Sequence, residues 1–175
     1  MKKAFSIFAA LVFFLAAGCE KQEQKEDLPP PPPTAFTAKL DVAFSGTAMT
    51  ANIRQISAEE YEIQILTPEI LNSLNLRYAD GTCTVTYDGL KFETDLSRFP
   101  QAEFGALLTQ TLTDVIQDIN IQKTYSNGIW TYHGTGERGS FALTANGETG
   151  AWLSLSIDGA ELKADFSEFT TTQSE

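Results

Sequence analysis

Apolar and polar residues alternate with period two through most of this chain, and nothing else in the sequence restricts the fold as much. Phe36, Ala38, Leu40, Val42 and Phe44 alternate with small or polar residues. Tyr61, Ile63 and Ile65 do the same against Glu60, Glu62 and Gln64. Cys83, Val85 and Tyr87 repeat the pattern, followed by Leu90 and Phe92. Late in the chain come Leu153, Leu155 and Ile157, then Leu162, Ala164 and Phe166. Successive side chains of a strand point to opposite faces, so such segments bury one face and wet the other. That is the signature of antiparallel strands.

The punctuation agrees. Asp80-Gly81, Asp88-Gly89, Asn127-Gly128, Asn146-Gly147 and Asp158-Gly159 each fall between strand-like runs. Asx-Gly pairs supply the positive φ angles of a type I′ hairpin turn. A meander of hairpins follows. The pattern argues against a parallel α/β sheet, since that needs a helix at nearly every crossover.

Two segments break the alternation. Thr67-Pro68-Glu69 opens a short helix, expected over 68–73, with Thr67 as N-cap and Pro68 in the first turn. Ile70, Leu71 and Leu74 would share its apolar side. The second helix is expected from about Pro100 to Asp118. Phe104, Leu107, Leu108, Thr111, Leu112, Val115 and Ile119 recur at three- and four-residue steps. Gln101, Glu103, Gln110, Thr113, Asp114 and Gln117 would face outward. A helix so apolar on one side must lie on the sheet or plug something.

The first 33 residues belong to other populations. Residues 1–18 carry Lys2 and Lys3, then an apolar run from Ala4 to Ala17. The run is shorter than the about 20 residues of a membrane span and reads as a secretory signal. It ends Leu15-Ala16-Ala17-Gly18-Cys19, which looks like the lipobox of bacterial lipoproteins. That resemblance implies cleavage before Cys19 and acylation of its thiol, hence a chain anchored in the cell membrane on its extracytoplasmic face. Residues 19–33 are polar and then all proline from Pro29 to Pro33. A polyproline II spacer of about 3.1 Å per residue is expected there. The folded domain is residues 34–175.

That domain has eight Lys or Arg and nineteen Asp or Glu, a balance of −11. Nucleic acid and anionic lipid surfaces are thereby disfavoured as partners, since both need excess cations. With Cys19 assigned to the anchor, Cys83 has no intramolecular partner and reads as a buried small hydrophobe in phase with Val85 and Tyr87. Gly134-Thr135-Gly136-Glu137-Arg138-Gly139 fits the dinucleotide fingerprint, but a strand-like run, 140–144, follows it where a helix is required. It is expected to be a hairpin loop. His133 is the one histidine, and no G-x-S-x-G elbow accompanies it. No calcium-loop pattern occurs, and one His with one free Cys is too little for zinc. No cofactor, metal or catalytic group is therefore expected.

The order of elements resembles the LolA/LolB-like superfamily of lipoprotein-carrier folds, more closely its lipid-anchored Gram-positive members, over residues 36–169. The likeness rests on Tyr61-Glu62-Ile63-Gln64-Ile65 running into Thr67-Pro68-Glu69-Ile70-Leu71. It rests also on Tyr87-Asp88-Gly89-Leu90-Lys91-Phe92 leading to Phe99-Pro100 and the long helix. The resemblance implies a mainly β (α+β) fold: an unclosed antiparallel half-barrel of roughly ten strands, with the short and the long helix covering its concave face. It implies uptake of acyl chains or other apolar groups on that face.

Two functions follow. The first is a lipid-anchored, extracytoplasmic binding protein holding an acyl chain or lipid between sheet and helices. Phe92, Phe104, Leu108, Leu112, Trp130 and Trp152 are its candidate lining residues. The second is a non-catalytic cell-surface interaction module in which the same aromatics simply fill the core. A lipid ligand is the partner of the first; neither reading names a protein partner.

Overall fold

The computed structural model describes residues 28–94 and 100–172. The expected signal segment, Cys19 and Phe99 lie outside the described residues.

Among the described residues, eleven strands and one α-helix make up the domain. In chain order they are β1 (Phe36–Phe44), β2 (Thr47–Ser57), β3 (Glu60–Thr67), β4 (Asn75–Ala79), β5 (Thr82–Tyr87), β6 (Leu90–Thr94), α1 (Pro100–Ile116), β7 (Gln122–Ser126), β8 (Ile129–Gly136), β9 (Gly139–Asn146), β10 (Trp152–Ile157) and β11 (Leu162–Thr171). All strands form one unclosed antiparallel sheet ordered β6-β5-β4-β3-β2-β1-β11-β10-β9-β8-β7. It is thus two meanders sewn together by the first and last strands, with Leu40 opposite Phe166 and Val42 opposite Ala164.

This order explains the helix. β6 and β7 are consecutive strands in the chain yet form opposite edges of the sheet. Laid flat, eleven strands at about 4.8 Å spacing would separate those edges by ~48 Å. A 17-residue helix spans only ~25 Å at 1.5 Å per residue. The sheet curls, which brings its edges closer together, and α1 runs across the concave side between them.

The local turns follow their residues. Asp80-Gly81, Asp88-Gly89 and Asn127-Gly128 all have two successive positive φ angles, as type I′ requires, and Ser45-Gly46 joins them. Two Asx-Gly pairs do something else. Asn146 turns its Oδ1 back to the N–H groups of Glu148 and Thr149, both at 2.9 Å, and starts a longer loop. Asp158-Gly159 lies in a single 3-10 turn that ends at Glu161 with φ 48°. The fingerprint-like 134–139 segment is the β8–β9 hairpin, with Gly136 paired to Gly139.

The expected helix over 68–73 is one 3-10 turn, Glu69–Leu71, with no side-chain cap. Thr67 does not cap it because its hydroxyl is engaged across the sheet, with Thr50 N at 2.9 Å and Thr50 Oγ1 at 2.8 Å. Ile70 points to solvent, and only Leu74 of its expected apolar side is fully buried. α1 ends at Ile116, two residues before the expected stop, which leaves Ile119 half-exposed beyond it. In β10 a register shift between Trp152 and Ser154 puts Trp152 and Leu155 in the core and leaves Leu153 half-buried.

The core fills the space between the concave face and α1. Leu40, Ile53, Ile63, Leu76 and Val85 come from the first meander, Tyr132, Leu143 and Leu155 from the second. Phe104, Leu108 and Leu112 close it from the helix, and Cys83 is fully buried among them.

Candidate functional site

The ridge of α1 that enters the core leaves a groove on each side. Towards the second meander, α1 and the β8–β9 hairpin enclose about 740 Å³. Ala106, Leu107 and Thr111 form the helix wall, and Phe141 and Ile157 the sheet wall. Towards the first meander a smaller groove of about 280 Å³ lies between the helix and the β4–β5 turn, lined by Tyr61, Tyr78, Thr109 and Thr113.

Specific bonds fix the helix between them. The Tyr78 hydroxyl donates to the carbonyl of Ala102 at 2.6 Å. At the far end, the Thr113 hydroxyl donates to the carbonyl of Ala58 at 3.0 Å and lies 3.2 Å from the Tyr61 hydroxyl. Thr113, expected to face outward, is instead a tie to the sheet. Gln117 Nε2 adds a bond to Glu59 at 2.8 Å. These phenols are poor acids. Burial pushes Tyr61 up to about 12, partly offset by its bond to Thr113. Burial also pushes Tyr78 well above its ordinary value. The Cys83 thiol is raised by burial too, partly offset by a hydrogen bond with Tyr78. A buried, protonated thiol is a poor nucleophile.

The mouth of the larger groove is charged. Glu103, Asp114 and Glu137 stand around it with one cation, Arg138, which pairs with Glu103 across the gap between helix and hairpin. The groove is thus largely apolar in its walls and acidic at its rim. Among the described residues no three His, Cys, Asp or Glu side chains converge as a metal site would require.

Of the six residues expected to line an apolar cavity, five share the core and none lines this groove. Phe104, Leu108, Leu112 and Trp152 are sealed in the core. Trp130 is buried against Tyr125, ring centres 4.9 Å apart, and Trp152 meets Tyr132 edge-on at 5.7 Å. Phe92 lies on edge strand β6 and is 44% exposed. The groove uses the neighbouring helix stripe instead, Leu107 and Thr111, which lies about 100° round from Leu108 and Leu112. The signal was present: an apolar stripe that includes 104, 107, 108, 111 and 112 is wider than one core ridge needs. Phe141 and Ile157 carried no sequence signal separating them from core residues.

These features define a class: open antiparallel half-barrels spanned by one helix, with a groove between helix and sheet. No known family matches the sequence, and no curated protein does. Solved structures match in shape. An uncharacterized conserved protein from Thermus thermophilus superposes with a TM-score of 0.52 at 10% identity, over 81% of each chain. A LolA superfamily protein from Nitrosomonas europaea gives 0.40 at 11% identity, over 83% of this chain and 89% of the other. A DUF1329 family protein from Desulfovibrio piger gives 0.42 at 9% identity, over 79% and 86%. The first of these shares the overall fold.

Proposed function

We propose that this chain is a lipid-anchored, extracytoplasmic binding protein that holds an apolar group between α1 and the β8–β9 hairpin. One observation carries the reading: a groove of about 740 Å³ with Leu107, Phe141 and Ile157 in its walls, large enough for an acyl segment. Binding rather than catalysis is the task such a site suits, because its charged groups sit at the rim. The rim also discriminates. Three carboxylates against one already paired arginine favour a neutral or cationic head group over a free fatty acid.

The test is titration of the full chain, carrying Cys19→Ser so that no acyl group is attached, with fluorescent alkyl probes bearing neutral, cationic and carboxylate heads. Neutral and cationic probes are expected to saturate. Leu107→Gln should weaken them about tenfold or more, the effect of removing one apolar wall residue worth at least about 1.5 kcal/mol. Absence of saturable binding by any probe overturns the reading. A second reading, an interaction module with a filled core, is favoured by the closed packing of Phe104, Leu108, Leu112 and Trp152. Failure of every probe would leave that one standing.

A further inference from the structure

Strands β1 to β6 have a second face, turned away from α1, and their register carries two rows of side chains across it. The first row runs Thr37, Arg54, Glu62, Arg77 and Thr84. Its charges are matched locally: Arg54 lies 3.8 Å from Glu62, and Arg77 pairs with Glu60 at the rim. The second row runs Lys39, Asn52, Gln64, Asn75, Thr86 and Lys91. Here four uncharged polar side chains lie between two lysines. Among the described residues neither ammonium has a carboxylate within ion-pair distance. Among the described residues of this row, Asn75 makes the one side-chain bond to the protein, from Nδ2 to the carbonyl of Ser73 at 3.2 Å.

The two rows floor a groove of about 650 Å³. Its charge is out of keeping with the domain. The described residues include seven Lys or Arg and seventeen Asp or Glu. Four of those seven cations line the groove, Lys39, Arg54, Arg77 and Lys91, with two of the seventeen acids, Glu62 and Glu168. Glu93 continues the first row and Glu60 pairs with its Arg77, while Glu168, next to Ser167 opposite Lys39, is the one lining acid near the lysine-ended row. The groove lining thus holds two more cations than acids on a domain where acids outnumber cations, which favours an anion here over the other faces.

The occupant's form follows from the spacing. Lys39 and Lys91 are five strand spacings apart, ~24 Å along the sheet. A single small anion cannot meet both, whereas a chain with repeated charges can. Between them, amides and a hydroxyl offer donors and acceptors together, which suits free hydroxyl groups. Among the described residues no aromatic side chain lines the groove, so it has no platform for the face of a sugar ring. We propose that this groove binds a polyol-phosphate chain, a flexible polymer alternating phosphodiesters with free hydroxyls. Phosphates seat on Lys39 and Lys91, with the guanidinium groups of Arg54 and Arg77 alongside, and the polyol hydroxyls on Asn52, Gln64 and Thr86. The site is independent of the apolar groove across the sheet.

The test is calorimetric titration of the full chain, as the Cys19→Ser variant, with poly(glycerol phosphate). Saturable binding that weakens as salt is raised is expected. The double variant Lys39→Gln, Lys91→Gln should lose about tenfold in affinity, and Asn52→Asp with Gln64→Glu should do the same by placing acids in the row. Leu107→Gln, on the other face, should leave this affinity unchanged. Any of three results overturns the proposal: no saturable binding, equal affinity in both double variants and the parent, or equal binding of polygalacturonate or polyglutamate.

Discussion

Gly105 sits inside α1, where helix propensity alone would favour alanine by about 1 kcal/mol. The structure reverses that preference. A Cβ at this position would overlap the ring and hydroxyl of Tyr78, whose bond to Ala102 requires the close approach. The overlap falls on a buried ring held on β4, so it cannot swing away cheaply. Gly105→Ala is therefore expected to destabilise the domain by about 1–3 kcal/mol, the usual range for overpacking. Thermal unfolding reads it out, and an unchanged or raised midpoint would contradict the packing described. Tyr61 gives a second prediction at the same scale. An unfolded tyrosine loses its proton near pH 10, and the folded Tyr61 keeps its proton up to about 12. Between those values the folded state binds a proton that the unfolded state has released, so stability falls as pH rises. The contribution is complete below pH 10 and disappears as pH passes through about 12. Phenolate absorbance during alkaline titration should show groups that ionise late and together with unfolding. Titration of every phenol in the ordinary range, with the fold intact, would refute it.

Elements were legible where their determinants are local. Type I′ turns depend on two adjacent residues, so Asp80-Gly81, Asp88-Gly89 and Asn127-Gly128 mark their hairpins from sequence. Ser45-Gly46 makes the same turn without an Asx residue, which is why the pair gave no signal. The β1–β11 seam joins segments more than a hundred residues apart, and no local pattern encodes such a pairing. The site was half legible for a related reason. Periodicity finds the apolar stripe of α1 but cannot divide it into a ridge that enters the core and a flank that lines the groove. That division depends on what faces each side. Thr113 shows the difference. Its position on the helix reads as solvent-facing, yet the turn at Ala58 comes up to meet it, and its hydroxyl ties the end of α1 to the sheet. Thr113→Val keeps the shape and removes both bonds. It should cost about 1 kcal/mol in a denaturant titration. Because the Thr113 bond holds the Tyr61 phenol down, its removal should also move that phenol further up. A variant as stable as the parent, with an unmoved phenol, would show that the tie is idle.

At the scale of the whole molecule, the way the chain enters the domain bears on the proposed anchor. The proline segment does not stop short of the fold. Pro30 packs beside Gly150 in the β9–β10 loop, where a Cβ would lie 3.3 Å from Pro30 Cγ. Ala35 accepts a bond from the Thr172 N–H at 3.0 Å. The linker therefore joins at the β1–β11 seam, in the middle of the sheet, and any pull on the N-terminus is borne by two long central strands rather than by an edge. The domain it holds carries a balance of −11, which an anionic membrane surface repels. On the proposed reading, acyl chains on Cys19 hold the chain on the membrane, with charge opposing them. Each CH₂ buried in the bilayer contributes about 0.8 kcal/mol, a term that salt does not screen. Fractionation separates the two forces. The parent chain should remain with membranes through a high-salt wash, and Cys19→Ser should appear in the soluble fraction at any ionic strength. Release of the parent by salt would identify an electrostatic or protein-mediated attachment. Retention of Cys19→Ser on the membrane would rule out the thiol as the point of anchorage.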